Sequence, residues 1–169
     1  MMTKERTKTN INHPRNLKTS IEIQFGIKDK SLPTKKEIKT WILAAATKDI
    51  KVTIRIIGES EGRKLNYFFR GKKNATNVLS FPYNYCSPLQ GDIAICLPVV
   101  KREALQQNKT TTSHLAHMII HGILHLHGFT HDDSNDAKLM EDREKLLLNR
   151  LGFKNPYQKH PLILQPHLS

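Results

Sequence analysis

Six of the nine histidines in this 169-residue chain fall between positions 114 and 131: His114, His117, His121, His125, His127 and His131. At about 100° per residue, a helix over this stretch carries His114, His117, His121 and His125 in a stripe roughly 80° wide. Leu115, Ile119, Ile123 and Leu126 form the opposing face. Each buried neutral imidazole needs a donor or acceptor partner, and one metal ion satisfies several rings at once. Residues four apart on a helix have Cβ atoms about 5–6 Å apart, so His121 and His125 can reach one ion at about 2.0–2.1 Å. His117 could pair with His121 in the same way, but it stands about 12 Å from His125 along the axis and cannot share an ion with it. Gly128 is suited to end the helix in a left-handed conformation and turn the chain back, bringing His131 towards the ion. The spacing therefore points to His121, His125 and His131 as ligands of one Zn²⁺ per chain. Three histidines leave a fourth position for water, the arrangement of a catalytic zinc site. His114 and His117 are expected to line a polar groove and not to ligate.

The spacing H-x-x-x-H-x-x-G-x-x-H is also that of the metzincin proteases, with one difference. Position 122 is Gly, where those enzymes carry the Glu that serves as general base. The helix thus has a hydrolase's ligands without the protease base.

These histidines need a scaffold. Ile21, Ile23 and Phe25 alternate with polar residues, as do Val52, Ile54 and Ile56, the period-two mark of half-buried strands. Between them, residues 34–48 place Ile38, Trp41, Ile42 and Ala45 at helical spacing behind Thr34 as N-cap. A second helix is expected over about 60–69, strands over 78–82 and 92–97, and helices over about 98–107, 112–127 and 134–151. In the last helix Ser134 is read as cap, with Leu139, Met140, Leu146, Leu147 and Leu151 on the buried face. Strands first and helices later indicate an α+β domain: a small mixed sheet of about four strands, about five covering helices, and the metal site on a central histidine-bearing helix. The domain is expected over 19–154, between a disordered basic arm at 1–18 and an extended, proline-containing tail at 155–169. Cys86 and Cys96 are read as free thiols.

No apolar run approaches the ~18 residues of a membrane span, and the basic N-terminal segment lacks the apolar core of a secretory signal; the expected location is cytoplasmic. Twenty-seven Lys and Arg against 15 Asp and Glu leave a formal charge of +12, which favours polyanionic partners through counterion release. The charge is polarised. Arg63, Lys64, Arg70, Lys72 and Lys73 outnumber Glu59 and Glu61, whereas residues 132–150 hold more acidic than basic groups.

Three blocks resemble the YbeY family of metal-dependent single-strand endoribonucleases: Leu65–Lys72 running into Thr76–Pro82, Gly91–Cys96, and His114–His131 with Gly at 122. The similarity covers roughly residues 20–152. It implies zinc-dependent cleavage of single-stranded RNA in ribosomal RNA maturation and ribosome quality control. The partners it implies are ribosomal RNA, the small ribosomal subunit and a ribosome-associated GTPase or ribosomal protein. It places the metal ligands on His121, His125 and His131 and a catalytic, RNA-contacting arginine on Arg70, which can clamp a phosphate bidentately. Lys72 and Lys73 are candidate contacts to the RNA backbone; Asn77 and Asp92 are expected to shape strands and turns. Where the family has Tyr-Asp before the third histidine, this chain has Phe129-Thr130, with Asp132 and Asp133 as nearby substitutes for the carboxylate. The alternatives are a non-catalytic ribosome-assembly factor whose metal is structural, and a metalloprotease, which Gly122 disfavours.

Overall fold

The computed structural model describes residues 16–158. The arm expected over 1–18 lies outside them except for its last three residues. Of these, Lys18 is tied down, its N–H donating to the Asp49 carboxylate at 2.8 Å and its carbonyl accepting from Ile50 N–H.

The first period-two segment is β1 (Thr19–Phe25) and the second is β2 (Ile50–Ile57), whose Ile50, Val52, Ile54 and Ile56 all enter the main core. Helix α1 (Lys35–Ala45) joins them. Thr34 caps it as expected: its hydroxyl accepts from Glu37 N–H at 3.2 Å, and the Glu37 carboxylate accepts the Thr34 N–H at 2.7 Å. The helix stops at Ala45 and not at Lys48, because Ala46 already has the extended backbone that delivers the chain to β2. Then follow α2 (Glu59–Arg70), β3 (Val78–Asn84), β4 (Leu89–Cys96), α3 (Leu97–Gln106), α4 (Thr111–Leu126) and α5 (Ser134–Arg150).

The sheet runs β1-β2-β4-β3, with β1, β2 and β4 parallel and β3 antiparallel at the edge. The four-stranded mixed sheet with five helices is the α+β arrangement expected. Helices α1, α4 and α5 share the main core with one face of the sheet. On the other face α2 lies against a smaller cluster of Ile57, Leu79, Ala94, Cys96 and Val99. Helix α4 is central, touching β3, β4, α1, α3 and α5. Cys86 is exposed, Cys96 is buried, and both are free. Among the described residues no helix is long and apolar enough to cross a membrane.

Two glycines let α4 sit close to the β3–β4 hairpin. A Cβ on Gly122 would lie 3.0 Å from Ile93 Cδ1 and 3.2 Å from Ser80 Oγ. A Cβ on Gly91 would lie 2.7 Å from the Phe81 carbonyl and 2.6 Å from Leu126 Cδ2. A rigid backbone carbonyl cannot yield as a side chain can. Gly91→Ala is therefore expected to lower stability by about 1–3 kcal/mol, measured as a shift of the denaturation midpoint at unchanged m-value.

Helix α5 departs from expectation in two ways. Its cap is Asp133 and not Ser134: the Asp133 carboxylate accepts from Asn135 and Asp136 N–H groups at 2.9 and 2.8 Å, and Ser134 is the first helical residue. Its buried stripe is Met140, Glu144, Leu147 and Leu148, while Leu139 and Leu146 are 62% and 41% exposed. At about 100° per residue, both stand roughly 100° or more from the direction of Met140, Glu144 and Leu147. The first residues of the expected tail, Asn155 to Gln158, form a turn closed by Gln158 N–H donating to the Asn155 carbonyl; the rest of the tail lies outside the described residues.

Candidate metal centre

Helix α4 is buried along most of its length, and its C-terminus builds the site. Gly128 takes φ +92, its N–H donates to His125 O, and Phe129 N–H reaches back to Leu124 O at 3.1 Å, satisfying carbonyls that a helix end leaves open. The reversed chain then turns the Phe129 carbonyl onto His125 Nδ1, at 2.9 Å. Two residues later His131 arrives beside the helix, its ring centroid 5.7 Å from that of His121 and 5.0 Å from that of His125.

The three imidazoles offer ring nitrogens that all lie within 4.8 Å of one another, an arrangement that can hold a metal ion. Tautomers follow from the partners. A carbonyl only accepts, so His125 Nδ1 carries the hydrogen and Nε2 keeps its lone pair. The Glu144 carboxylate, 2.6 Å from His121 Nδ1, likewise takes that hydrogen and leaves the His121 Nε2 lone pair outward. These two Nε2 atoms stand 2.9 Å apart. Two lone pairs facing at that distance repel unless a cation lies between them. Two ligands of a tetrahedral zinc would stand about 3.3 Å apart, so the His121–His125 pair fits such an ion within a few tenths of an ångström. Burial, followed by the proximity of His121, lowers the His125 pKa and keeps its ring neutral.

A second close group, His117, His121 and Glu144, is a hydrogen-bonded network. Glu144 is fully buried on α5 and accepts from His121 through one oxygen and from His117 Nε2, at 2.7 Å, through the other. The Tyr157 hydroxyl also donates to the second oxygen. Burial pushes the Glu144 carboxyl up, but the hydrogen bonds from His117 and His121 outweigh it and bring its pKa to about 2. His114 has its own carboxylate, Glu103, at 2.7 Å. The side-chain amide of Asn77 also donates to Glu103, while its oxygen accepts from Val78 N–H at 2.7 Å and anchors the start of β3. Asp92, on the far side of the sheet, accepts from the Tyr83 hydroxyl.

The three histidines line a cleft of about 370 Å³ together with Arg70, Ser80, Tyr85 and Phe129. Arg70 is the last residue of α2, which ends at Gly71 with φ +66. Among the described residues Arg70 has no carboxylate partner, so the surface salt bridge that would be its ordinary role is not made. Lys72 and Lys73 follow on the exposed turn, outside the cleft lining. Neither Asp132 nor Asp133 joins the histidines: Asp132 is exposed and Asp133 caps α5. The Thr130 hydroxyl, standing where the resemblance puts a carboxylate, donates to Asp136 at 3.2 Å.

The sequence model of endoribonuclease YbeY matches residues 22–152. The chain belongs to the YbeY endoribonuclease family. The YbeY endoribonuclease of Methylobacillus flagellatus is 46% identical over 138 residues, which cover 82% of this chain and 93% of the relative. That of Nitrosomonas eutropha is 45% identical over 135 residues, covering 80% and 96%. A Thermotoga maritima protein known from its solution structure superimposes with a TM-score of 0.54 at 26% identity, covering 78% of this chain and 91% of that one. YbeY membership leaves the metalloprotease alternative without support, in keeping with the packing that closes Gly122 against Ile93 and Ser80. Two participants escape a reading of the sequence, Glu144 and Tyr157. The one signal for Glu144 is that it interrupts an apolar stripe, standing four residues after Met140 and three before Leu147.

Proposed function

We propose that this YbeY chain holds one Zn²⁺ through His121, His125 and His131 and cleaves single-stranded RNA in the adjoining cleft. The observation that carries this reading is the facing pair of Nε2 atoms, each made a lone-pair donor by the acceptor bound to its own Nδ1. Zinc in that position supplies Lewis acidity that polarises a phosphoryl oxygen. Arg70 contributes the planar fork that grips two oxygens of the same phosphate as negative charge grows on them. The His125 ring, neutral by burial and fixed by the Phe129 carbonyl, stays a donor of electrons and not of protons. Tyr85 and Phe129 offer aromatic surface on which an unpaired base can stack. Gly122 places no carboxylate beside His121, so no side chain at that position acts as base.

The substrate we assign is ribosomal precursor RNA on the small ribosomal subunit, in cytoplasmic ribosome maturation and quality control, with a ribosome-associated GTPase or ribosomal protein as partner. Residues 19–154 form the catalytic domain. Metal analysis of the purified protein is expected to find about one zinc per chain; a fully folded protein that takes up none would remove the reading.

Lys72 and Lys73 lie next to Arg70 at the end of α2 and extend the positive path away from the cleft. Each phosphate contact on a single strand contributes about −0.7 to the slope of log affinity against log salt. Replacing both lysines with alanine is expected to make that slope shallower by about 1.4. An unchanged slope in a filter-binding titration would place the RNA path elsewhere.

A further inference from the structure

We propose that Glu144 and Tyr157 are positioning residues for His121: together they hold its Nδ1–H and so keep Nε2 free to bind the ion. This rests on the reading of His121 as a zinc ligand. A neutral imidazole with no partner divides its proton between two nitrogens, and the Nε2–H form cannot ligate through Nε2. Glu144 settles the choice with one oxygen, 2.6 Å from His121 Nδ1. That oxygen is itself held, because the other one receives both His117 Nε2–H and the Tyr157 hydroxyl. The carboxylate is fully buried, so no water substitutes for a lost donor.

Tyr157 comes from beyond residue 152, where the match to the family sequence model ends. The turn that carries it is docked. Asn155 Oδ1 accepts the Tyr157 N–H at 2.9 Å, and the Lys109 ammonium donates to the Pro156 carbonyl at 2.5 Å. The Tyr157 ring packs edge-on against His117 at 5.5 Å between centroids, with the Lys145 ammonium over its face. The chain after the last helix thus returns to brace the metal centre from behind.

Glu144→Gln tests the assignment, because the amide has one acceptor where the carboxylate has two. Its oxygen belongs on the side where His117 and Tyr157 converge, which turns the NH₂ towards His121 Nδ1 and drives the ring hydrogen onto Nε2. In the zinc-free full-length protein, imidazole ¹⁵N shifts are expected to show His121 as the Nδ1–H tautomer in wild type and the Nε2–H tautomer in Glu144→Gln. Chelator competition is expected to show zinc bound about 10–100-fold more weakly by Glu144→Gln. Tyr157→Phe keeps the ring and loses only the hydroxyl, so it is expected to retain the Nδ1–H form and weaken zinc by about 3–10-fold. A Glu144→Gln protein with the wild-type tautomer and zinc affinity within about twofold of wild type would overturn the proposal. Should Glu144→Gln not fold, unchanged zinc affinity in Tyr157→Phe would do so. Wild type binding zinc while both variants match it sinks this inference alone; wild type binding no zinc sinks the metal centre and this inference with it.

Discussion

His125→Ala is expected to reduce bound zinc from about one per chain to less than about a tenth, and to lower RNA cleavage by about 10³-fold or more. The ring centroids of His121, His125 and His131 form a triangle with sides of 4.5, 5.0 and 5.7 Å, so removing His125 leaves two ligands where three converge. Stabilisation of transition-state charge by such an ion amounts to several kcal/mol, and each 1.36 kcal/mol is tenfold in rate. His121→Ala and His131→Ala should behave alike. His117→Ala should keep zinc, because its nitrogen faces Glu144 and not the cleft. Elemental analysis beside a cleavage assay checks all four; full zinc occupancy in the His131 variant would remove that residue from the ligand set.

Arg70→Lys is expected to retain zinc and most RNA affinity yet cleave about 10²-fold more slowly or worse, the usual cost of removing one preorganised donor set. The charge survives in Lys; the planar fork does not. Arg70 lines the same cleft as the three histidines and, among the described residues, spends its guanidinium on no carboxylate, so its removal leaves no buried partner unpaired. A change in rate then reports on the substrate and not on stability. Single-turnover cleavage of an unstructured RNA at saturating enzyme makes the measurement. Wild-type rates in Arg70→Lys would make Arg70 a residue of electrostatic attraction only.

The elements were legible because their patterns are local. Alternating Val52, Ile54 and Ile56, the Thr34–Glu37 box and the histidine stripe each lie within one strand or helix, and the structure realises all three. Gly128 was equally readable, since a left-handed residue closing a helix has few alternatives to glycine. What the sequence concealed depends on contacts between distant segments. Glu144 approaches His121 across 23 positions and Tyr157 approaches His117 across 40. A charged residue on an amphipathic helix is ordinarily solvated, and nothing nearby in sequence says that Glu144 faces inward. The same limit explains Leu139 and Leu146, apolar residues that only the docking of α5 on α4 leaves outside. That Arg70 has no carboxylate partner among the described residues is likewise a property of the folded surface.

If the three-histidine site drives RNA cleavage, stripping its metal with a chelator should abolish the activity. Wild-type protein is stripped of metal, shown to remain folded by circular dichroism, and assayed on unstructured single-stranded RNA before and after zinc is restored. Cleavage is predicted to vanish with the metal and return as zinc approaches one equivalent per chain. Cleavage that persists in the stripped protein, or RNA that stays intact when zinc fills the site, would contradict it, and the second outcome would favour a ribosome-assembly factor with a structural metal.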